Sequence, residues 1–245
     1  MRRLLKSVFE IFCILLAVGA IKTAIADPFY VPSGSMEPTL LIGDELLATK
    51  FAYGYSTASF PAPITLPQTE RLFGTTPTRG DVVVFRYPGD RSTTWVKRVI
   101  GLPGDRIALK AGQVWINGTP AAIRPDGTGF AQDEAGSQFP AARFIETLPD
   151  NREHVIFKLR PHTEYDDMAE IVIPPDRLFV MGDNRDNSAD SRIPLKEGGV
   201  GLLPIEDLVG RVDVIVGSMD LSATSQPIWT WPAALRFSRF FSMVH

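Results

Sequence analysis

Residues 95–105 read Trp95-Val96-Lys97-Arg98-Val99-Ile100-Gly101-Leu102-Pro103-Gly104-Asp105, a run of β-forming side chains closed by glycine and proline. Similar runs bounded by Gly or Pro predict further short strands. They cover residues 44–50, 81–87, 154–159, 170–173, 178–181 and 208–216. The pair Asn117-Gly118 is a strong hairpin signal. Because no convincing amphipathic helix interrupts residues 30–218, the sequence predicts a mainly β protein.

The expected architecture is an antiparallel-sheet core with an inserted second lobe. Residues 120–153 are rich in Gly, Pro, Ala and Asp and have weak periodicity, so they are expected to form exposed loops within that lobe. The segments that carry candidate chemistry flank this region on both sides. We therefore place the β core at residues 27–106 and 176–220 and the inserted β lobe at residues 107–175.

Composition excludes several classes of protein. The chain has 245 residues, of which 44% are hydrophobic and 22% charged, as in globular proteins. A net charge of −3 gives no indication of nucleic-acid binding. The single cysteine, Cys13, excludes an internal disulfide and a cysteine metal cluster.

The first 26 residues suggest a membrane segment. An apolar run over residues 11–21 follows a basic start, and the stretch from residue 4 to residue 26 is long enough to span a bilayer. The basic start predicts a cytoplasmic N-terminus. A cleavable secretory signal ending in Ala24-Ile25-Ala26 fits the same pattern. We favour a retained transmembrane helix because of the function inferred below.

Residues 221–245 combine aromatic and basic side chains. Trp229, Trp231, Phe237 and Phe241 are interspersed with arginines, a mixture that suits the lipid headgroup layer. A tail packed on the domain is the alternative. We expect this tail to contact the membrane.

A candidate nucleophile lies in Pro32-Ser33-Gly34-Ser35-Met36-Glu37-Pro38-Thr39-Leu40, where Ser35 is expected to be exposed in a tight turn. A serine hydroxyl needs a base to remove its proton. The histidines offer no convincing Asp-paired base, and neither a Gly-x-Ser-x-Gly nor a Ser-x-x-Lys motif is present.

Lys97 is the alternative base. On a strand it shares a face with Trp95 and Val99, and an apolar setting would lower the pKa of its amine. The competing interpretation is an edge-strand lysine that reaches solvent.

The segment Met181-Gly182-Asp183-Asn184-Arg185-Asp186-Asn187-Ser188-Ala189-Asp190-Ser191-Arg192 is dense in short polar side chains. A calcium loop fits poorly, since the expected central glycine and closing glutamate are missing. A buried polar network that supports an active site fits better.

Together, residues 32–40, 79–85, 97–105 and 182–192 resemble the sequence motifs of bacterial type I signal peptidases, in the same order. The resemblance covers roughly residues 28–216. It implies that Ser35 is the nucleophile and Lys97 the general base. The remaining implied roles are an oxyanion site from the Ser33 hydroxyl and the Ser35 N–H, orientation of the lysine by Ser188, ion pairs Asp183–Arg98 and Asp190–Arg192, and substrate pockets lined by Phe29, Val31, Leu40, Trp95 and Val96.

The resemblance also implies a function. It predicts a membrane-anchored serine endopeptidase that removes Ala-x-Ala signal peptides from exported preproteins through an acyl-enzyme. The catalytic domain would lie on the outer, periplasmic face of the cytoplasmic membrane, in contact with lipid. We expect a monomer with no metal, no cofactor and no nucleic-acid partner. The alternatives are a relative specialised for few exported proteins and a tethered β domain that only binds peptides.

Overall fold

The structure is a computed structural model that describes residues 6–7, 9–14, 26–60, 66–133, 135–225 and 227–244. Its regular structure is almost entirely β. The strands are β1 (Ala26–Tyr30), β2 (Asp44–Thr49), β3 (Val82–Tyr87), β4 (Asp90–Gly101), β5 (Arg106–Lys110), β6 (Gln113–Ile116), β7 (Thr119–Pro120), β8 (Ala122–Gln132), β9 (Gln138–Thr147), β10 (Glu153–Lys158), β11 (Met168–Val172), β12 (Arg177–Met181), β13 (Leu203–Pro204), β14 (Leu208–Ser218) and β15 (Ser242–Met243).

The largest sheet has the strand order β1-β2-β14-β3-β4-β12-β13, and β15 pairs with β14. Its neighbouring strands are antiparallel. Side chains alternate between its two faces, because successive residues of a strand point to opposite sides. Val82 and Val84 therefore join one hydrophobic cluster, whereas Val83 and Phe85 join another. The mainly β, antiparallel prediction is confirmed.

Two smaller sheets are formed by the residues between β4 and β12. One has the order β11-β5-β6-β7 and the other the order β10-β9-β8. The predicted Asn-Gly hairpin joins β6 to β7, with φ angles of 53° at Asn117 and 81° at Gly118. Both residues adopt the left-handed conformation that a two-residue hairpin turn requires.

The expectation of exposed loops over residues 120–153 is wrong. Most of this segment forms β8 and β9, which pair antiparallel along nearly their whole lengths. Gly127, Gly129 and Pro140 hide the alternation in the sequence, and the register shifts between Pro125 and Thr128. A bulge of this kind breaks the two-residue period on which strand prediction depends.

The described part of the C-terminal tail packs against the core sheet. Val214 and Ile215 of β14 pair with Met243 and Ser242 of β15. The guanidinium of Arg239 binds both carboxylate oxygens of buried Asp44, at 3.0 and 2.5 Å. The structure thus has the alternative arrangement, a tail docked on the domain. Trp229, Phe237 and Phe241 nevertheless stay exposed, and membrane contact remains a prediction.

Residues 6–7 and 9–14 are helical. No helix within the described residues is both long and apolar enough to cross a membrane. The greater part of the predicted span, namely residues 4, 5, 8 and 15–25, lies outside the described residues.

Candidate active site

The candidate nucleophile lies in a short 3₁₀ turn, Gly34–Met36, that follows β1. Asn184 holds this turn, since its side chain donates to Gly34 O at 3.1 Å and its backbone N–H donates to Ser35 O at 3.2 Å. A Cβ atom on residue 34 would lie 2.7 Å from Gln132 O, so only glycine fits there. Ser35 is 9% exposed and lines a cleft. It is therefore more enclosed than the turn motif predicted.

Lys97 lies on β4 and contacts the serine directly. Its Nζ is 2.9 Å from Ser35 Oγ and 3.1 Å from Val96 O. The residue is 4% exposed, which excludes the edge-strand alternative in which the amine reaches solvent. The Nζ also lies 5.6 Å from the centre of the Trp95 ring, as their shared strand face predicts.

Burial controls the protonation of this amine. Removal from water lowers the pKa of Lys97 to about 8, although the charges of Asp190 and Asp183 act in the opposite direction. No carboxylate oxygen of the described residues lies within 4.0 Å of Nζ. A minor but appreciable fraction of the amine is therefore neutral near pH 7, and this amine contacts a hydroxyl.

Ser33 provides a second hydroxyl beside the serine. Its Oγ lies 3.4 Å from Ser35 Oγ, at the outer limit of a hydrogen bond. The N–H of Ser35 belongs to the first turn of the 3₁₀ helix, where backbone donors lack intrahelical acceptors. Two donors are thus available close to the nucleophile.

Two buried ion pairs support the site. Arg98 binds Asp183 through two hydrogen bonds of 2.8 and 2.7 Å, and both side chains are 1% exposed. Burial alone would raise the pKa of Asp183, but the charge of Arg98 holds it below its ordinary value. Since Arg98 follows Lys97 on β4, this pair fixes the strand that carries the amine.

Arg192 and Asp190 form the second pair, with hydrogen bonds of 2.9 and 2.8 Å. Asp190 also accepts a hydrogen bond from Gly182 N, at 3.0 Å. Burial again favours the neutral acid, yet Arg192 lowers the pKa of Asp190 below its usual range. The structure thus brings together the members of both pairs that the resemblance implies.

Ser188 does not make the contact implied for it. Its Oγ is buried and interacts with Asp190, whose pKa it helps to lower, while the amine of Lys97 bonds to Ser35 and Val96 instead. A Cβ on residue 182 would lie 2.3 Å from Ser188 Oγ and 2.4 Å from Ser35 O. Ser188 therefore packs beside the serine turn, at Gly182, without reaching the lysine.

The cleft beside Ser35 has a volume of about 800 Å³ and a partly apolar wall. Of the predicted pocket residues, it is lined by Phe29, Val31, Trp95 and Val96. Leu40, the fifth predicted pocket residue, does not line this cleft; its side chain is 0% exposed and packs in the core cluster that contains Met36.

The lining residues that sequence reasoning missed include two on core strands and two on a distant hairpin. Leu46 lies opposite Phe29 on β2, and Val84 lies opposite Val96 on β3. Alternation along those strands, combined with the pairing register, would have placed both on this face. Asp133 and Ala135 come from the distant β8–β9 hairpin, for which the sequence gives no signal.

Comparison with known proteins gives consistent results. The model of a family described as signal peptidase, peptidase S26, matches residues 3–217. The chain is 34% identical to the signal peptidase I of Rickettsia typhi over 260 residues, covering 98% of this chain and 94% of the relative. It is also 34% identical to that of Rickettsia akari, over 94% of this chain and 88% of the relative.

Among solved structures, a signal peptidase I from Enterococcus faecalis is similar to part of the chain. The match has a TM-score of 0.32 and 22% sequence identity, and it covers 56% of this chain and 97% of the other.

Proposed function

Since the chain belongs to the signal peptidase family of peptidase S26 and is thereby a serine peptidase, we propose that it removes N-terminal signal peptides from exported preproteins. The preferred signals end in small residues of the Ala-x-Ala type. The observation that carries the proposal is the buried contact of 2.9 Å between Lys97 Nζ and Ser35 Oγ.

In the proposed reaction, the neutral amine of Lys97 accepts the hydroxyl proton while Ser35 Oγ attacks the carbonyl carbon of the scissile bond. The Ser33 hydroxyl and the Ser35 N–H donate to the oxyanion that forms. Lys97 then gives its proton to the departing amine of the mature protein, which leaves an acyl-enzyme ester on Ser35. Water attacks this ester with Lys97 again as base, and the free signal peptide is released.

The lowered pKa makes this chemistry feasible near neutral pH. An ordinary lysine with a pKa of about 10.4 is neutral in about 0.04% of molecules at pH 7. With a pKa of about 8, Lys97 is neutral in about one molecule in ten. Asp183 and Asp190 are held by their own arginines, so neither forms a direct ion pair with the amine.

The cleft is suited to an extended peptide. β12 pairs with β4 only at Arg98, Val99 and Gly101, and β1 is the first strand of the sheet. No strand of the described residues pairs with the outer edge of β1 or with residues 94–96 on the side away from β3, so both edges border the cleft as open strand edges. An extended substrate can add to such an edge through main-chain hydrogen bonds, while shallow apolar pockets select small side chains.

We further propose that residues 1–26 anchor the chain in the cytoplasmic membrane by a single span, with the catalytic domain on the outer face. The basic residues before the apolar run support this orientation. The described tail adds exposed aromatic side chains that suit a lipid surface. We expect the enzyme to act as a monomer.

The test uses the purified full-length chain and a preprotein with an Ala-x-Ala signal. We expect cleavage after the second alanine and one acyl-enzyme per active molecule in an active-site titration. Ser35→Ala should abolish both, whereas Ser92→Ala, at an exposed serine, should retain both. Binding of the preprotein by wild type with neither cleavage nor an acyl-enzyme would instead identify a peptide-binding domain.

A further inference from the structure

The cleft has a second wall that the core sheet does not supply. Asp133 and Ala135, at the tip of the β8–β9 hairpin, line the same cleft as Ser35 and Lys97. The side chain of Asp133 shapes this tip, because its Oδ1 accepts hydrogen bonds from Ala135 N at 3.0 Å and from Ser137 N at 2.7 Å. These two hydrogen bonds hold Ala135 and Ser137 close to Asp133.

Glu37 joins the tip to the serine turn. Its Oε2 accepts a hydrogen bond of 2.9 Å from the backbone N–H of Gln132. Gln132 is the last residue of β8 and precedes Asp133. Glu37 is 2% exposed and lies two residues after Ser35. The close approach of Gln132 O to Gly34 brings the same two segments into contact.

A buried carboxyl group requires such a partner. Burial raises the pKa of Glu37 to about 7, while the Gln132 N–H and the charge of Arg236 act against that rise. A carboxyl oxygen can accept from Gln132 N in either protonation state, and more strongly when ionised. We therefore expect the hydrogen bond between Gln132 N and Glu37 to persist at pH values on both sides of 7.

We propose that this hairpin tip determines specificity: Asp133 disfavours acidic side chains in the substrate segment that crosses the cleft, and Glu37 is the positioning residue that holds the tip beside Ser35. The inference rests on the proposed function, since it concerns the same cleft. A fixed carboxylate in a partly enclosed site repels a like charge more strongly than one in bulk water. Neutral and basic side chains at that point of the substrate are favoured.

The first experiment compares Asp133→Asn with wild type, because asparagine keeps the Oδ1 acceptor of the turn and removes the charge. Matched peptides carry Glu, Gln or Lys in turn at each position around the cleaved bond. We expect wild type to cleave the Gln peptide about two- to fivefold better than the Glu peptide at one or more positions, the range for a solvated charge pair. In Asp133→Asn this ratio should fall to about one.

Asp150→Asn is the matched control, since it removes an equal charge from an exposed site that does not line the cleft. It should keep the wild-type ratio. The role of Asp133 is overturned if wild type and Asp133→Asn have the same ratio of Gln-peptide to Glu-peptide cleavage at every position. A ratio of one in both proteins counts as this outcome.

The second experiment separates positioning by Glu37 from simple packing. Glu37→Gln keeps an acceptor for Gln132 N, whereas Glu37→Met fills a similar volume without one. We expect Glu37→Met to raise KM more than it lowers kcat and to lose the selectivity against Glu peptides, while Glu37→Gln retains that selectivity. Thermal melts establish that both variants are folded. Equal selectivity in two folded variants contradicts the positioning role.

The Gln peptide also tests the proposed function separately. If wild type cleaves it and Ser35→Ala does not, the peptidase function stands whatever the charge preference. If neither cleaves it, the proposed function fails and this inference falls with it.

Discussion

Two buried lysines of the described chain are held in opposite ways. Lys50, just after β2, is 0% exposed, and its Nζ lies 3.1 Å from the carboxylate of Asp27. Lys97, on β4, is 4% exposed and contacts a hydroxyl and a carbonyl oxygen instead. Burial beside a carboxylate forms a structural ion pair, whereas burial beside Ser35 gives an amine that can act as a base. Lys50 also donates to Ser59 O, at 2.7 Å, so both amines contact a carbonyl oxygen. The difference lies in the carboxylate beside Lys50 rather than in the degree of burial.

The largest expected effect is on activity. Lys97→Met should lower kcat/KM for an Ala-x-Ala preprotein by at least about 10³-fold, because methionine fills the site but cannot accept the proton of Ser35. Steady-state cleavage assays measure the loss. Lys50→Met is the control, and any folded fraction of that variant should still cleave. Activity of Lys97→Met within tenfold of wild type would contradict the role of Lys97 as the base.

Lys50→Met should instead destabilise the fold, by about 3 kcal/mol or more, because it removes the ammonium while the Asp27 carboxylate stays buried. Denaturant unfolding of the purified protein measures this change. If Lys50→Met and wild type unfold at the same denaturant midpoint, the ion pair with Asp27 contributes nothing to stability. Lys50 would then not have the structural role that distinguishes it from Lys97.

The pH dependence tests the state of Lys97 directly. Its pKa of about 8 means that the amine is protonated below that pH and cannot act as a base. The value of kcat/KM should therefore rise about tenfold per pH unit up to about pH 8 and level off above it.

A profile that is flat between pH 6 and 9 would be inconsistent with a titrating lysine. Glu37→Gln serves as the control, because Glu37 lies two residues from Ser35 and has a pKa of about 7, within this range. The inflection near pH 8 should persist in that variant.

The smallest expected effect is on stability, and its sign is opposite to that for Lys50. The folded-state pKa of Lys97, about 8, is below the unfolded value of about 10.4, so the unfolded chain binds more protons between these values. At pH 7 the buried charge costs stability, and Lys97→Met should raise the free energy of unfolding by about 1–3 kcal/mol.

This gain should shrink as the pH rises from about 8 to about 10.4, since wild type gains stability over that window. Unfolding curves at pH 7 and at pH 10 provide the comparison. A destabilised Lys97→Met at pH 7 would show that packing of the amine outweighs its desolvation.

Local features of the site were predictable from the sequence. The turn around Ser35 and the strand around Lys97 follow from glycine, proline and β-forming residues, and the shared face of Trp95 and Lys97 follows from the two-residue period of a strand. The contact between residues 35 and 97 does not follow from any local pattern. It depends on strand pairing in the finished sheet, and only the resemblance to a family indicated it.

The errors have the same physical origin. Leu40 and Phe29 are both apolar and close to the serine in sequence, yet Leu40 is buried in the core and Phe29 lines the cleft. The tie between Glu37 and Gln132 joins segments that are distant in sequence. Local periodicity carries no information about either, because both are decided by packing between elements.

The position of β14 has a consequence for biosynthesis. This strand lies between β2 and β3 in the core sheet but is translated long after both. Until it emerges from the ribosome, β2 and β3 have no common neighbour, and the nascent chain carries Ser35 and Lys97 without the sheet that joins them. Such long-range pairing forms late. We therefore expect the contact between Ser35 and Lys97 to form only after β14 has been translated.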